Sequence, residues 1–380
     1  MNSVTISTYS IKKLIDEIDK AISKDFEPSL AFIYVSPRYN IRKLVAEINK
    51  YPFLVLGATT VGEIYANEKD GVHEKEESIV CTLVDIDPSA IALKVLQVDN
   101  QRYFEVGEEL SVWAKEQFSD PAIITLTSGL AFDNDGYTQG IISKDIEYVF
   151  GAAAGDDLIL EDTFVFSKEN YSNHGIVALA IDREKIEVLG ARAFGWKSIG
   201  KERIVTKADK NIVYEIDGKR AIDFYKKYLN VSADDMPQVG IEYPLEVTMK
   251  NGDVVYRAVL AIDEEEGSLI FAGHVAEKSR VRLASAKGKA IIEYVGRSID
   301  EVLAENEGFE PDLVLAFPCC SRKQVLGDLA IKEVEAVYTR TKVPLVGFFA
   351  YGEIGAFPGG YGFHNETFVT ALLSTKKKEK

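Results

Sequence analysis

Three glycine-flanked acidic turns are the first places in the sequence where chemistry could occur. They are Gly62-Glu63, Gly155-Asp156-Asp157 and Gly352-Glu353, and each follows a short apolar run typical of a buried strand. Glycine permits a tight turn and the close approach of a ligand, and ligands of open sheets lie beyond the carboxyl ends of strands. These carboxylates could therefore meet an amino group, or each could cap its own turn or pair with a nearby lysine.

A second candidate is the segment Cys319-Cys320-Ser321-Arg322, which ends a predicted strand and begins a predicted helix. Backbone N–H groups at a helix start stabilise negative charge, so the segment could bind an anionic group or lower the pKa of a thiol. The guanidinium of Arg322 offers a bidentate fork for a carboxylate. A structural turn is a second interpretation. A third is a Cys319 nucleophile with His364 as base and Glu353 as orienting group, which would hydrolyse an amide or transfer an acyl group.

The histidines form the third candidate. His73, His174 and His364 each precede a corresponding strand, as a threefold metal site would require. Their distances from those strands differ, which argues against a metal triad. Motifs for nucleotides, zinc proteases and serine hydrolases are absent from the sequence. We therefore expect no metal and no cofactor, and we expect His364-Asn365-Glu366 to orient a ligand or form hydrogen bonds.

The charge of the chain bears on its partners. The sequence has 60 acidic and 44 basic residues, a formal net charge of −16. Such a surface repels phosphate backbones and anionic lipids, so we expect no nucleic-acid and no membrane partner. The N-terminal residues lack a signal-peptide pattern, and the three cysteines form no disulfide framework. The sequence predicts a soluble, cytoplasmic protein.

The elements that would position these residues recur three times along the chain. The copies begin at AFIYVSPR (31–38), AIITLTSG (122–129) and LVLAFPCCSR (313–322). Each continues with a helical pattern, a second buried strand, a glycine-acid turn and a final strand. Residues 186–283 differ, because short strand patterns separated by Asp-Gly at 217 and Asn-Gly at 251 predict hairpins. We predict an α+β or mixed α/β fold. It would have mixed sheets, repeated strand-helix-strand-hairpin units and an antiparallel, hairpin-rich middle.

Several segments together resemble the two domains of the FIST family. Those of the N-terminal part are Gly57–Ile64, Gly155-Asp156-Asp157 with 161–166, and Gly195–Gly200, which contains Trp196. Those of the C-terminal part are Phe271–Val275, Cys319–Arg322, Gly352–Gly355 and Phe363–Thr367. The resemblance covers residues 30–372 and predicts a FIST N-terminal domain over 1–215, a FIST C-terminal domain over 216–375 and a charged tail over 376–380.

The resemblance implies a sensory protein that binds a small ligand such as an amino acid, in a family often fused to signalling domains. This chain shows no fused output domain, so we expect signalling through a separate protein partner or through a homo-oligomer. Two positions depart from the family pattern: His274 stands where an acid is expected, and Glu366 where an amide is expected.

Residue chemistry and resemblance together lead to one hypothesis about the ligand. An amino acid presents a carboxylate and an ammonium group, and a cleft with Arg322 on one wall and Glu353 on another matches both charges. We therefore predict a pocket for a small zwitterion. The predicted ligand-binding residues are Arg322, Cys319, Glu353, Gly352, His364, Asn365, Glu63, Asp156, Asp157 and Trp196.

Overall fold

The computed structural model describes residues 1–229, 232–249, 252–286, 288–358 and 360–376. Of the predicted charged tail 376–380, the residues after Lys376 lie outside this described part. Asn251 of the predicted Asn-Gly turn also lies outside it.

Two repeated units make up the first half of the chain, and the third unit begins directly after them. The first unit contains β1 (Asn2–Thr8), α1 (Ile11–Ala21), β2 (Leu30–Val35), α2 (Ile41–Ile48), β3 (Leu54–Thr59), β4 (Glu63–Asn67), β5 (Gly71–Lys75) and β6 (Ile79–Asp85). A short 3-10 turn, Pro88–Ala90, leads into the second unit. The second unit contains β7 (Ile91–Gln97), α3 (Tyr103–Gln117), β8 (Pro121–Thr127), α4 (Asn134–Ile142), β9 (Val149–Ala153), β10 (Val165–Phe166), β11 (Tyr171–Ser172) and β12 (Gly175–Asp182). The third unit begins with β13 (Ile186–Ala193).

An insertion interrupts the third unit, which then resumes and runs to the C-terminal strand. The insertion contains β14 (Lys197–Asp209), β15 (Ile212–Ile216), β16 (Lys219–Arg220), α5 (Ala221–Leu229), a 3-10 turn (Ala233–Asp235), α6 (Gln238–Glu242), β17 (Leu245–Thr248), β18 (Val254–Arg257), β19 (Val259–Asp263), β20 (Ser268–Phe271) and β21 (Arg280–Ser285). The rest of the third unit contains α7 (Gly288–Glu305), β22 (Leu313–Pro318), α8 (Cys320–Leu326), a 3-10 turn (Gly327–Leu329), α9 (Ile331–Thr341), β23 (Leu345–Phe348), β24 (Gly352–Ala356), β25 (Phe363–His364) and β26 (Phe368–Thr375).

The local sequence explains why these elements form. In α1 the apolar residues recur at helical spacing and face the core, while the Ser10 side chain accepts the backbone N–H of Lys13 at the helix start. In β2 every residue is buried, and the strand is apolar throughout, as expected where both faces of a sheet are covered.

The three units exchange strands and so close into a ring. Among the described residues, the three sheets have the orders β1-β6-β2-β3-β10-β11, β7-β12-β8-β9-β24-β25 and β13-β26-β22-β23-β4-β5. Each contains one parallel pair, formed by β2 and β3, β8 and β9, or β22 and β23. The fifth strand of each sheet belongs to another unit. The second unit supplies β10 to the first sheet, the third supplies β24 to the second, and the first supplies β4 to the third.

One hydrophobic core fills the centre of the ring. Alternate residues of a strand point to opposite faces, and the inward-facing set includes Phe32 and Tyr34 of β2, Leu126 of β8 and Phe317 of β22. The outer faces carry the helices, with α1 and α2 on the first sheet, α3 and α4 on the second, and α7 and α9 on the third. Because the sheets mix parallel and antiparallel pairs, the predicted fold class is confirmed.

The insertion forms a separate antiparallel sheet that packs against the ring. Its pairings among the described residues are all antiparallel, and Val213, Leu245 and Phe271 lie in its own core. The buried Arg257 of β18 attaches it to the ring: Nη2 contacts Asp135 of α4 at 3.2 Å, and Nη1 donates to Asn365 Oδ1 at 3.2 Å. The predicted hairpin-rich middle is therefore a sheet held over one end of the ring.

Candidate functional site

A cleft of about 690 Å³ lies between the ring and the insertion. Volumes of this order accommodate small organic ligands. Its walls are largely apolar and include Leu130, Phe132, Leu158, Leu160, Met236, Val239, Ile241, Leu260 and Phe363. Its floor is polar and includes Cys319, Cys320, Ser321, Tyr351 and Asn365. An apolar cleft with a few convergent polar groups has the composition of a ligand site.

The ends of several strands bring the floor residues together. After β22, the backbone N–H of Cys319 donates to the Thr367 carbonyl at 2.9 Å, and that of Cys320 donates to the Ala350 carbonyl at 2.8 Å. These bonds join the segments after β22, after β23 and before β26. The floor therefore lies beyond the carboxyl ends of a parallel pair, where ligands of mixed and parallel sheets commonly bind.

Glu353 is fully buried directly beneath this floor. Its Oε2 accepts the Thr367 backbone N–H at 3.1 Å, whereas Oε1 has no hydrogen-bond partner within the described part of the chain. Burial raises the pKa of Glu353 well above its usual range, and the adjacent Cys319 thiol raises it further. Burial therefore favours the protonated, neutral form of this carboxyl group.

Glu366 is a second buried acid at the floor, and its backbone is held in the left-handed region with φ of 61°. Its carbonyl oxygen accepts Arg322 Nη1 and Trp196 Nε1, each at 2.9 Å. Neither carboxyl oxygen has a hydrogen-bond partner of normal geometry among the described residues. Burial raises the pKa of Glu366 to about 8, and Ser321 and Arg322 only partly offset this. The backbone is fixed while the side chain keeps unused hydrogen-bonding capacity.

The structure does not join Cys319 to His364. Burial, together with the Cys320 and Glu366 side chains, raises the pKa of the Cys319 thiol well above its usual value. The His364 Nε2 atom lies 2.8 Å from the Tyr361 carbonyl oxygen and 3.2 Å from Arg192 Nη1. Burial and Arg192 lower the pKa of His364 well below its usual value. The protonated thiol, and an imidazole whose Nε2 atom faces Tyr361 and Arg192, do not favour the nucleophilic interpretation.

Arg322 lies behind the floor, fully buried, and not on a wall of the cleft. Its guanidinium contacts Glu333 through Nε at 3.1 Å and also through Nη2. Its remaining donors contact main-chain carbonyl oxygens, among them those of Phe194 at 2.6 Å and Glu366 at 2.9 Å. This interior network, and not a ligand carboxylate, uses the donors of Arg322. Trp196 belongs to the same buried layer.

The acidic turns play unequal parts. Asp156 accepts the backbone N–H groups of Leu160, Glu161 and Asp162 at 2.7–3.0 Å, and it also accepts the Tyr351 hydroxyl. It thereby shapes the loop that carries Leu158 and Leu160 into the cleft wall.

Asp157 of the same turn, and the turns at Gly62-Glu63 and Gly352-Glu353, lie outside or below the cleft. Asp157 accepts the Ser36 hydroxyl at 2.6 Å and lines a neighbouring charged groove. Glu63 accepts the Ser78 hydroxyl at 2.6 Å and contributes nothing to the described cleft lining. Gly352 permits close packing below the floor, since a Cβ atom there would lie 2.5 Å from Cζ of Phe363.

Two sets of lining residues were missed by the sequence patterns. The first is Leu130, Phe132 and Asn134, which follow β8, and the second is the stretch of the insertion from Asp234 to Leu260. From the sequence alone, an apolar residue that lines a cleft cannot be distinguished from one that lies in the core. Only the position of Leu130 and Phe132 just after a strand end, next to Ser128-Gly129, could have indicated them.

Within the described residues, no group of three or more histidine, cysteine, aspartate or glutamate side chains is arranged to hold a metal ion. Across the same part of the chain, no helix combines the length and the apolar character needed to cross a membrane.

Comparisons with known proteins place this architecture in a family. The profile of the FIST N domain matches residues 29–219, and that of the FIST C domain matches residues 221–356, which confirms the predicted order of the two domains. Similar curated proteins include an uncharacterized protein from each of two Mycobacterium tuberculosis strains, CDC 1551 / Oshkosh and H37Rv. Each is 26% identical over 227 residues, which cover 56% of this chain and 57% of the relative. The chain therefore spans little more than half the length of the curated relatives it matches.

Proposed function

We propose that this chain, which belongs to the FIST family, senses a small amino compound, either an amino acid or a related amine, bound in the cleft between ring and insertion. FIST domains are sensory domains that bind small ligands. The observation that carries the proposal is a set of buried polar atoms that have no hydrogen-bond partner in the described structure. Asn365 Nδ2 belongs to a residue of the cleft floor, whereas Glu353 Oε1 and both carboxyl oxygens of Glu366 lie buried beneath that floor.

The energetics of these atoms support a ligand. A buried polar group without a hydrogen bond costs about 1–3 kcal/mol. A ligand that supplies the missing partners recovers that free energy, and its apolar part gains from burial against residues such as Phe132 and Ile241. Unpaired groups of this kind therefore favour binding of a polar head with an apolar body.

The amino group of the ligand would lie at the polar floor of the cleft, above the two buried acids. Glu353 and Glu366 lie fully buried beneath that floor, and the negative charge of either acid, once ionised, would attract an ammonium group above it. The zwitterion hypothesis assigned the ligand carboxylate to Arg322, whose donors are used within the interior. We therefore retain recognition of the ligand's amino group and drop the assignment of its carboxylate to Arg322.

The signal would pass through the insertion. The cleft walls combine residues of the ring with residues of the insertion, so a ligand that contacts both stabilises one relative arrangement of the two. That arrangement would present a surface to a separate signalling protein or to a second copy of the chain. We place this sensing in the cytoplasm, as expected from the cysteine usage.

A thermal-shift and calorimetric screen of amino acids and amines tests the proposal. In the variant Val239→Trp a large side chain on the wall would occupy part of the cleft. We expect this variant to lose any ligand-induced shift in the melting temperature. Val112→Trp is the matched control, because Val112 is exposed on α3, away from the cleft. The proposal would be contradicted if no compound of the panel binds, or if the two variants bind the ligand equally well.

A further inference from the structure

Asn365 carries a buried amide at the floor of the cleft, and one end of that amide is unused. The residue follows β25 directly, lines the cleft and is only 1% exposed. Its backbone is held on two sides, because it bridges to Tyr256 and its carbonyl oxygen accepts the Thr367 hydroxyl at 2.9 Å. The side chain therefore extends from a fixed backbone.

Arg257 determines which end of this amide is left for a ligand. A guanidinium has only donors, so the Asn365 atom that meets Arg257 Nη1 at 3.2 Å is the oxygen Oδ1. Arg257 is fully buried behind the floor, where it also contacts Asp135 and the Phe363 carbonyl oxygen. The Nδ2 group is the other end, and it has no hydrogen-bond partner in the described structure. A buried N–H donor without an acceptor is destabilising, so a ligand that brings an acceptor to it gains affinity.

The charge of the cleft selects among the possible acceptors. Its described lining contains no lysine, arginine or histidine, whereas Asp234 and Asp235 are part of it. Arg257 and Arg322 are fully buried behind the floor and are paired there with acids. A carboxylate could accept from Asn365 Nδ2, but it would enter a largely apolar cleft without a counter-charge, which is costly. The acceptor that fits this cleft is therefore uncharged.

We propose that the ligand presents an uncharged carbonyl oxygen, that of an amide or ester, to Asn365 Nδ2. This inference rests on the proposed function and narrows its amino compound to an amide or ester of an amino acid, in preference to the free amino acid. A carbonyl oxygen accepts through two lone pairs without the desolvation cost of a carboxylate. The apolar part of the ligand would lie against walls such as Phe132 and Ile241.

Four ligands that share a benzyl group separate the carbonyl head from the amino head. Phenylalaninamide carries both heads, and phenylalanine has a carboxylate in place of the amide. Phenethylamine lacks the carbonyl, and 3-phenylpropanamide lacks the amino group. Titration calorimetry on the full chain at about pH 6.5 keeps the amino groups mostly protonated. We expect phenylalaninamide to bind at least about tenfold tighter than phenylalanine and phenethylamine.

Asn365→Asp is the diagnostic variant. It keeps the shape of the side chain and an oxygen for Arg257, but it replaces the Nδ2 donor by a second oxygen. The Arg257 guanidinium favours the ionised form of the new carboxyl group, which cannot donate. We expect the preference for phenylalaninamide over phenethylamine to disappear. Both ligands carry one ammonium group, so the added charge affects them alike and the ratio of their affinities isolates the lost hydrogen bond.

Asn134→Asp is the matched control, because Asn134 is also a buried residue of the cleft lining but its amide is already used within the protein. Its Oδ1 accepts the Thr127 hydroxyl, and its Nδ2 donates to the Phe132 carbonyl oxygen at 3.4 Å. The substitution adds the same charge to the cleft, and we expect the preference for phenylalaninamide to remain. If Asn365→Asp does not fold, the four ligands on the unmodified chain decide.

Several outcomes would overturn the inference. Phenylalanine or phenethylamine binding as tightly as phenylalaninamide would do so, and it would leave the proposed function standing. An unchanged preference in Asn365→Asp would also do so, because the carbonyl would then be recognised by another group. By contrast, 3-phenylpropanamide binding as tightly as phenylalaninamide supports the carbonyl contact and contradicts the amino part of the proposed function. If none of the four binds, the inference fails, and the Val239→Trp comparison in the broader panel decides the proposed function separately.

Discussion

Replacing Arg322 by methionine separates a structural role for this arginine from a ligand-binding role. The substitution leaves Glu333, which is fully buried, without its ionic partner. Removing one partner of a buried ion pair typically costs about 3–5 kcal/mol. The carbonyl oxygens of Phe194 and Glu366 also lose their donor. We therefore expect the free energy of unfolding to fall by at least about 3 kcal/mol.

Urea unfolding followed by tryptophan fluorescence measures this loss. Trp196 is a suitable probe because it is nearly buried and its indole N–H donates to the same Glu366 carbonyl that Arg322 binds. The double variant Arg322→Met with Glu333→Leu removes both charges, and we expect it to recover most of the stability. Ligand affinity measured on the double variant should stay close to that of the unmodified chain.

The pH dependence adds an independent readout. Burial already raises the pKa of Glu333, and Arg322 counteracts that effect. Without the arginine the folded-state pKa rises further, so the folded chain binds more protons than the unfolded chain above pH 4.5. Stability of the single variant should therefore decrease as the pH rises from there. Normal stability combined with lost ligand binding would refute the structural role and restore Arg322 as a ligand group.

Two other buried groups allow separate tests. Burial raises the pKa of Glu63 from 4.5 to about 7, so the folded chain retains a proton that the unfolded chain loses. Relative to the unmodified chain, the variant Glu63→Gln should gain about 3 kcal/mol of stability as the pH rises from 4.5 to about 7. Urea unfolding of both chains at several pH values measures this gain. A difference in unfolding free energy between the two chains that does not change with pH would contradict the prediction. Cys319 should react with iodoacetamide far more slowly than a free thiol at neutral pH, because it is buried and protonated. Mass spectrometry of the labelled peptide measures the rate, and fast labelling would favour the catalytic interpretation instead.

Much of the fold follows from patterns that are local in sequence. Helical spacing of apolar residues identifies α1, and continuous apolar runs identify β2 and β22. The repetition of these patterns indicates three similar units. The exchange of strands between the units could not be predicted, because short strands such as β4 and β24 contain no local information about which sheet they will join.

The site was predicted in part, and for a similar reason. Cys319, Glu353 and Asn365 stand at strand ends, where sheet geometry places ligands, and the structure brings them together at or just beneath one floor. Arg322 was assigned to the ligand because its charge complements a carboxylate. Glu333, the residue that binds it, lies beyond the break between α8 and α9, and nothing local connects the two.

The sequence by itself determined the element types, the three repeated units, the hairpin-rich insertion and the membership of the FIST family, because periodicity and short motifs are local properties. Only the tertiary structure decided which charges are paired in the interior and which polar atoms are left without partners at the cleft floor. The physical reason is that desolvation and hydrogen-bond satisfaction depend on which distant segments surround a group. Burial can therefore neutralise an acid such as Glu366, or commit an arginine such as Arg322 to the interior, whatever charge its residue type predicts.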